Sequence, residues 1–593
     1  RVTQDLDMLT KGLKLTAMYA FDVYNEIHVH QDRAESTYNF LDTSVPYDMN
    51  GQPILQRIYE GSNVLSYTQE TSGNKKTYLE ASLNYDRTFN DDHRVSALFL
   101  FNQQSKLLYP KGTLEDAIPY RMMGIAGRAT YSWKDRYFAE FNIGYNGAEN
   151  FSPKHRFGTF PAFGVGWVVS NEKFWQPLSK AVSFLKIRYT DGKVGNSEVS
   201  DRRFMYLDQM KENGDYGYKF GPNGTKWSGY ETVNMAVDLI WEESRKQDLG
   251  IDLKLFNDDL SIVFDLFKER RENILLKREH SIPSFLGYNT SAPYGNIGII
   301  ENKGFDGTIE YNKRINKDWV IALRGNVTFN KDKWIQGELP EQKYEWMNQY
   351  GHNINGVKGY VAEGLFTQAE IDDMARWESL SDANKAITPK PFASQFGTVK
   401  AGDIKYKDLN NDGQIDAYDQ TYISRGDVPT TVYGFGFTVG WKDLSVGMMF
   451  QGVAGAERVL NGSSVNPFNG GGGSGNLYSN IGDRWTEENP DQNAFYPRLS
   501  YGSETTSNIN NFQKSTWWVR NMNFLRLKTL QISYNLPKPW VNKVHLKNAA
   551  VYVMGTNLFT LSRFKLWDPE LNTDNGASYP NTTSYSVGIN FTF

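Results

Sequence analysis

The sequence lacks several features that would point to common classes of protein. It contains no cysteine among its 593 residues, which suits an oxidising compartment where a free thiol would be reactive. It has no run of 18 apolar residues, so a transmembrane helix is excluded. The 64 lysines and arginines nearly balance the 68 aspartates and glutamates, and this balance gives no indication of a nucleic-acid partner.

Motifs for catalysis are also lacking. There is no nucleophile elbow, no HExxH and no recognisable Ser/His/Asp set. The seven histidines are scattered, and His28 with His30 offers too few ligands for a zinc site. Acidic pairs such as Glu242-Glu243 are common on loops and do not by themselves indicate glycoside cleavage. We therefore predict that the protein is not an enzyme.

What the sequence does contain is a repeated alternation of apolar and polar side chains. Aromatic residues make up 14% of the chain, and there are 52 glycines. Over residues 584–593 small polar residues alternate with an apolar row, which consists of Tyr585, Val587, Ile589, Phe591 and Phe593. An apolar outer row opposite a polar inner row is typical of an outer-membrane β-barrel strand. We interpret this segment as the closing strand and Phe593 as a C-terminal assembly signal.

The same alternation predicts about sixteen strands and one short helix near residues 368–379. The strands are expected at 8–24, 77–89, 94–106, 123–133, 136–148, 160–170, 182–192, 245–256, 260–272, 303–314, 317–331, 430–441, 443–455, 523–536, 548–560 and 583–593. Tight polar turns such as 90–93 and 257–259 alternate with long segments such as 332–429 and 456–522. Short periplasmic turns and long extracellular loops are how such barrels are built. We predict an all-β fold, a transmembrane antiparallel β-barrel, with a large soluble all-β protein as the alternative.

One segment has the residue spacing of a calcium-binding loop. Side chains or carbonyls that can donate oxygen occupy positions 1, 3, 5, 7, 9 and 12 of this stretch, namely Asp408, Asn410, Asp412, Gln414, Asp416 and Asp419. Gly413 stands where such a loop turns sharply. The prediction is a structural Ca²⁺ site at 408–419, which departs from the usual pattern in having the shorter Asp419 in place of glutamate. The alternative is an Asx-rich turn with solvated carboxylates.

Aromatic residues crowd the long loops. Exposed at a barrel mouth, their rings could stack on sugars or hold apolar peptide side chains. The candidates for substrate binding are Trp227, Tyr230, Trp334, Trp346, Phe366, Trp485 and Tyr496. The alternative is that these rings pack the loops against one another. Trp441, Trp517 and Trp518 are expected to lie in the interfacial girdle instead.

Several motifs resemble those of the SusC/RagA family of TonB-dependent outer-membrane transporters of Bacteroidetes. The segment 402–408, which reads GDIKYKD and runs into the acidic loop, is similar to a signature of that family. Further similar segments follow one another along most of the chain, at 6–14, 429–436, 450–452, 525–537 and 555–559. Because the motifs are spread widely and occur in order, the resemblance covers most of the chain.

The resemblance implies the C-terminal portion of a barrel of about 22 strands. Residues 1–593 would be that portion, including a long extracellular loop at 332–429, and we expect the N-terminal plug and the first strands to be absent from this chain. The implied location is the outer membrane of a Gram-negative, Bacteroidetes-like bacterium, in contact with the lipid bilayer.

The implied function is active import of oligomeric nutrients, with glycan oligosaccharides as the first expectation and peptides as the second. The implied partners are a SusD-like surface lipoprotein and the TonB complex, which would act through the plug region. Members of this family often form dimers of barrel–lipoprotein pairs. The alternatives are a passive porin of sixteen strands and an outer-membrane barrel enzyme.

Overall fold

The computed structural model describes the chain apart from residues 42–43, 111–116, 199–201, 220, 223, 284, 286–291, 463–464, 466, 468–478 and 501–508. Two compact units are present. The first comprises residues 1–131, 141–161 and 197–241, and the second comprises 132–140, 162–196 and 242–593.

Long antiparallel strands dominate the described residues. Sixteen of them are Leu13–His30, Thr68–Phe89, His93–Tyr109, Tyr120–Trp133, Tyr137–Ala148, Phe157–Val168, Val182–Asn196, Glu242–Leu255, Leu260–Lys277, Tyr294–Arg314, Trp319–Gln336, Thr431–Trp441, Leu444–Ala454, Phe524–Asn535, Asn548–Ser562 and Ser584–Thr592. Each corresponds to one of the strands predicted from the alternation, which confirms the all-β prediction. Several strands extend well beyond their predicted ends into polar sequence, because backbone pairing continues there: Thr68 still pairs with His30.

In the first unit, Leu13–His30 pairs with Thr68–Phe89, which in turn pairs with His93–Tyr109. The second of these connections is a tight turn in which Asn90 and Asp91 have φ of 50° and 60°, a conformation that asparagine and aspartate tolerate better than most residues. Shorter strands of this unit are Val2–Asp5, Thr37–Phe40, Leu55–Tyr59, Gln209–Lys219 and Lys226–Asn234.

In the second unit the pairing runs without a break, in chain order, from residues 162–168 to the last strand. Tight turns again carry positive φ, at Asn257, Asp258 and Lys442. Short strands in the long loops are Val357–Gly359, Ala362–Leu365, Ile404–Tyr406, Thr421–Ser424, Glu457–Val459 and Val519–Asn521.

The helices are few and short. The predicted helix is confirmed as Gln368–Glu378, and it begins with a capping box between Thr367 and Glu370. Among the described residues the others are Asp382–Lys385 and Lys538–Lys543, with 3₁₀ turns at Val169–Asn171, Lys173–Leu178, Glu345–Met347, Ala417–Asp419 and Thr516–Trp518. In the described part of the chain, every helix is too short or too polar to span a bilayer.

The two faces of the strands differ in chemistry, as the alternation predicts. On one face, Phe435 and Phe450 stack with ring centroids 4.9 Å apart, and Phe435 is exposed. On the other face, Arg188 pairs with Asp248 at 3.2 Å and with Asp265 at 2.6 Å. Apolar side chains therefore cover the outer surface of the strands, and ion pairs lie on the inner one.

The long loops of the second unit build a hydrophobic core of their own. We call this the loop body, meaning the described residues of 337–430, 455–523 and 563–567. Its buried members include Tyr360, Leu365, Ile404, Tyr406, Ile415, Leu460, Trp485, Tyr496, Trp518 and Phe564. The expectation that Trp518 is a girdle residue is wrong, because its ring is buried in this core and its Nε1 donates to the Asn511 carbonyl at 2.9 Å.

Candidate functional site

A buried carboxylate connects distant segments of the loop body. Asp403 is 1% exposed and accepts two hydrogen bonds from the guanidinium of Arg498, at 3.0 and 3.1 Å. It also accepts from the Asn511 amide at 3.0 Å and from the Lys400 backbone N–H at 2.8 Å. A two-point pair with further donors satisfies a buried charge well, so Asp403 fixes three loop segments relative to one another.

Two adjacent asparagines hold the short strand that follows. The Ile404 backbone N–H donates to Asn511 Oδ1 at 2.8 Å, and Asn510 Nδ2 donates to the Ile404 carbonyl at 2.7 Å. The Tyr406 hydroxyl donates to the Asn510 carbonyl at 2.7 Å. Burial raises the pKa of Tyr406 far above its usual value, so this phenol remains a proton donor at physiological pH.

Gly402 is required by both conformation and space. Its φ is +84°, and a Cβ at this position would overlap the indole ring of Trp485. A residue with a side chain would be strained by the backbone angle and would displace the ring. The Gly402-Asp403-Ile404 segment therefore has an identifiable structural role in loop packing.

The calcium-type loop has a compact backbone. Asp408 accepts from the backbone N–H of Gly413 at 2.8 Å, and Asn410 Oδ1 accepts from that of Asp412 at 3.0 Å. Asn411 and Gly413 have φ of 57° and 83°. The sharp turn predicted at Gly413 is present, with carboxylate and amide oxygens gathered on its inside.

The end of this loop is anchored in the loop body. Asp419 is fully buried, and its two oxygens accept from the backbone N–H groups of Leu409 and Asp416 at 2.8 and 2.9 Å. Asp416 caps the turn that follows by accepting from the Tyr418 N–H at 2.7 Å. Within the ranges that the structure describes, no three His, Cys, Asp or Glu side chains form a ready-made metal centre.

Three of the predicted substrate-binding aromatics are buried. Phe366, Trp485 and Tyr496 are 0%, 6% and 1% exposed. The expectation that their rings are free at a barrel mouth is wrong, because they pack the loops against one another. The local sequence around each ring does not show that the ring is buried, because the residues that pack against it come from distant segments.

The other four predicted aromatics differ among themselves. Trp227 and Tyr230 are 68% and 69% exposed, on a hairpin of the first unit. Trp334 is half-buried at a strand end. Trp346 stacks on Tyr344 with centroids 4.6 Å apart, and its Nε1 donates to the Tyr418 carbonyl at 2.9 Å, so it contacts the calcium-type loop.

The remaining predicted site residue is Phe593, which is exposed and follows directly on the last strand. Its nearest paired neighbour is Thr592, which lies opposite Asn548. Trp441, predicted for the girdle, is exposed and lies 6.1 Å from Trp319 between ring centroids.

A cavity in the first unit was not predicted from the sequence. It has a volume of about 700 Å³ and is lined by residues that include Lys106, Tyr120, Glu149 and Arg203. The guanidinium of Arg203 lies 3.9 Å from the centre of the Tyr120 ring and pairs with Glu149 at 2.7 Å. The lining residues are scattered along the sequence and form no motif from which the cavity could have been predicted.

Comparison with known proteins adds to this geometry. No protein-family model matches the chain. The chain is 25% identical over 501 residues to TonB-dependent receptor P3 of Formosa agariphila, a match that covers 80% of this chain and 45% of that protein. It is 23% identical over 483 residues to TonB-dependent receptor SusC of Bacteroides thetaiotaomicron, covering 79% and 43%. The chain thus spans about half the length of the curated relatives it matches.

A solved structure supports the same fold. The RagAB peptide transporter structure superposes with a TM-score of 0.71 at 20% identity, covering 98% of this chain and 60% of that one. The relatives are named as receptors and transporters, not as enzymes. The chain is thus similar to SusC/RagA-like TonB-dependent transporters, it has an outer-membrane β-barrel fold, and its location is the outer membrane.

Proposed function

We propose that the protein to which this chain belongs imports oligomeric nutrients actively across the outer membrane. The observation that carries this proposal is the similarity to TonB-dependent receptors over about four fifths of the chain. The strands supply a polar inner face, where Arg188 and its carboxylates lie, and such a face suits the passage of a hydrated solute.

The proposed cargo is a glycan oligosaccharide. Trp227 and Tyr230 present exposed rings on one hairpin, and aromatic faces of this kind can stack on sugar rings. A peptide cargo is the second candidate, favoured by the structural similarity to a transporter that is named for peptides.

The proposed partners are a SusD-like surface lipoprotein and the TonB complex. The lipoprotein would cover the long loops, and TonB would act through a plug domain of the whole protein, with dimers of barrel–lipoprotein pairs as the proposed assembly. The packed core of the loop body supports this, because a folded loop surface can present a constant face to a partner.

The test is uptake of a labelled oligosaccharide by intact cells. Cells that lack either TonB or the lipoprotein should lose uptake, whereas a passive porin would be unaffected by the loss of TonB. A parallel assay with labelled oligopeptides separates the two cargo classes. Uptake that persists without TonB would overturn the proposal of active import.

We also propose that residues 408–419 bind Ca²⁺ as a structural clip. Asp408, Asn410, Asp412 and Asp416 would supply side-chain oxygens, Gln414 its carbonyl, and Asp419 the last carboxylate. The sharp turn at Gly413 and the buried, unpaired charge of Asp419 support the proposal, since among the described residues no cation pairs with that carboxylate.

Chelation tests the calcium proposal. Saturating Ca²⁺ should stabilise the loop body by about 2.7 kcal/mol at one hundred times the dissociation constant. Hydrogen exchange across 403–423 should therefore quicken when EGTA is added and slow again when Ca²⁺ is restored. Exchange that is indifferent to both additions would leave the Asx-rich turn as the correct interpretation.

A further inference from the structure

A cavity of about 550 Å³ in the second unit is lined by three cationic side chains. They are Arg520, Arg563 and Lys565, and they come from two loop segments that flank neighbouring strands. Among the described residues, none of the three forms an ion pair with a carboxylate. Elsewhere in the loop body, the partly buried Arg458 and Arg498 are each paired with a carboxylate. The cavity therefore carries positive charge that no carboxylate of the described residues neutralises through an ion pair.

Arg520 is held in position by neutral groups. Its guanidinium lies 4.6 Å from the centre of the Phe495 ring, and its Nη1 donates to the carbonyls of Trp517 at 2.6 Å and Val519 at 3.0 Å. The carboxylate of Asp483 acts on it electrostatically and accepts the Phe495 backbone N–H at 3.0 Å. Burial lowers the pKa of Arg520 and Asp483 opposes that shift, so the fixed charge lacks a full counter-ion.

The strand register shows which way the cavity faces. Leu561 lies opposite Leu525, which lies opposite Gly452, and Gly452 lies opposite Tyr433. Directly opposed residues share a face of an antiparallel sheet. This row shares its face with the exposed, stacked ring of Phe435, so it belongs to the apolar, lipid-facing surface.

The cationic cavity begins where that surface ends. A second cavity, of about 520 Å³, is lined by Tyr433, Leu525 and Leu561 of the lipid-facing row and shares Asn521 and Arg563 with the first. This is the end of the strands from which the long loops leave, which is the extracellular end in the barrel fold. Basic side chains just beyond an apolar belt meet the headgroup layer of the bilayer.

We propose that this cavity binds the phosphate-bearing headgroup of an outer-leaflet lipid. Two arginines and a lysine provide fork-shaped and point-like donors that suit phosphate oxygens. A soluble cargo would reach the inner face of the strands, whereas these side chains continue the outer face. The bound lipid would attach the loop body to the membrane surface at residues 519–521 and 563–566.

The test measures lipid binding to the full-length protein in detergent by native mass spectrometry. The probes are bis-phosphorylated lipid A, the same lipid after enzymatic dephosphorylation, and the soluble anion tri-galacturonate. The variant R563Q/K565Q removes two exposed cations and leaves the half-buried Arg520 in place. The control K442Q removes an exposed cation at the opposite, short-turn end of the strands. Retained heat-modifiable migration on gels confirms that each variant is folded.

We expect the double variant to bind phosphorylated lipid A roughly 25-fold more weakly, at about fivefold per cation, and K442Q to match the wild type. Dephosphorylated lipid A should bind wild type and double variant equally. The proposal is overturned if the double variant binds phosphorylated lipid A as well as the wild type does, or if K442Q weakens binding as much. It is equally overturned if tri-galacturonate binds at this site in preference to the lipid, since the cavity would then serve a soluble anion.

Discussion

Replacing Asp403 with asparagine is expected to loosen the loop body while leaving the strands intact. The carboxylate is almost fully buried and takes both hydrogen bonds that Arg498 directs towards it. Asparagine retains the shape of the side chain but removes the charge, and it places an N–H group where one of the two acceptor oxygens was. Arg498 would then lie against a neutral partner in a poorly hydrated position.

The size of the effect follows from this geometry. Removing one partner of a fully buried pair costs about 3–5 kcal/mol. Arg498 is 21% exposed in its side chain and therefore keeps some hydration, so the lower end, about 3 kcal/mol, applies. Since about 1.4 kcal/mol corresponds to a factor of ten, the equilibrium constant for opening the loop body should rise about 100-fold.

Hydrogen exchange measured by mass spectrometry can resolve this change. The Phe366 N–H donates to the Asp403 carbonyl and the Gly402 N–H donates to the Phe366 carbonyl, each at 2.8 Å, so peptides covering 366–402 report on the loop body. The control is D373N, which breaks an exposed pair with Arg376 that should contribute at most about 1 kcal/mol.

A double variant makes the test stricter. In an Arg498→Gln background the charge to be compensated is gone, so D403N should add little further opening if the pair is the source of the effect. The reasoning is refuted if D403N leaves exchange over 366–402 within twofold of the wild type. It is also refuted if D373N accelerates exchange to the same degree, because the loss of an exposed ion pair would then cost as much stability as the loss of a buried one.

Three further outcomes are expected. Gly402→Ala should destabilise the loop body by about 2–4 kcal/mol, because the alanine would be strained by the positive φ and would overlap Trp485. Thermal unfolding combined with loop-specific proteolysis measures this loss of stability. Gly413→Ala is not a suitable control, because Gly413 also has a positive φ. Burial and the charge of Lys358 lower the pKa of His352 from its usual 6.5, so the unfolded segment binds the proton more readily and stability should fall as pH drops below about 6.5. Protection factors over 350–360, which correct for the intrinsic pH dependence of amide exchange, should be lower at pH 5.5 than at pH 7.5 in the wild type and equal at the two pH values in H352Q. If the proposed oligosaccharide cargo contacts this hairpin, Trp227→Ala should weaken its binding by about fivefold or more without altering the fold. Calorimetry that finds equal affinity would remove this ring from the proposed cargo site.

The strands could be predicted from the sequence because their determinants are local. Alternation over residues 584–593 needs only neighbouring side chains, and the turns at Asn90-Asp91 and Asn257-Asp258 carry residues that tolerate positive φ. Each such signal is contained within a dozen residues. This is why the number and order of the sixteen long strands agree with the structure, whereas several strand ends, such as Thr68, lie beyond their predicted positions because backbone pairing continues there.

The loop body could not be predicted in the same way because its contacts join distant residues. Asp403 and Arg498 are 95 residues apart, and Ile404 and Asn511 are 107 apart. A periodic pattern carries no information about such pairs, so aromatic rings such as Phe366 and Tyr496 suggested exposed ligand contacts when they are core residues. Composition revealed that the loops are aromatic, but only long-range packing decides which rings face solvent.

The difference between packed and exposed loop residues bears on which side chains could select the proposed cargo. In the segment by which the chain resembles its relatives, Gly402, Asp403 and Tyr406 all have their side chains or backbone committed to packing. A resemblance at these positions therefore carries information about loop architecture and none about the transported molecule. Under the proposed function, we expect cargo selection to depend on side chains that packing leaves exposed, such as Trp227 and Tyr230 on their hairpin. Exchanging exposed aromatics should accordingly change cargo preference in a transporter whose loop body is unaltered.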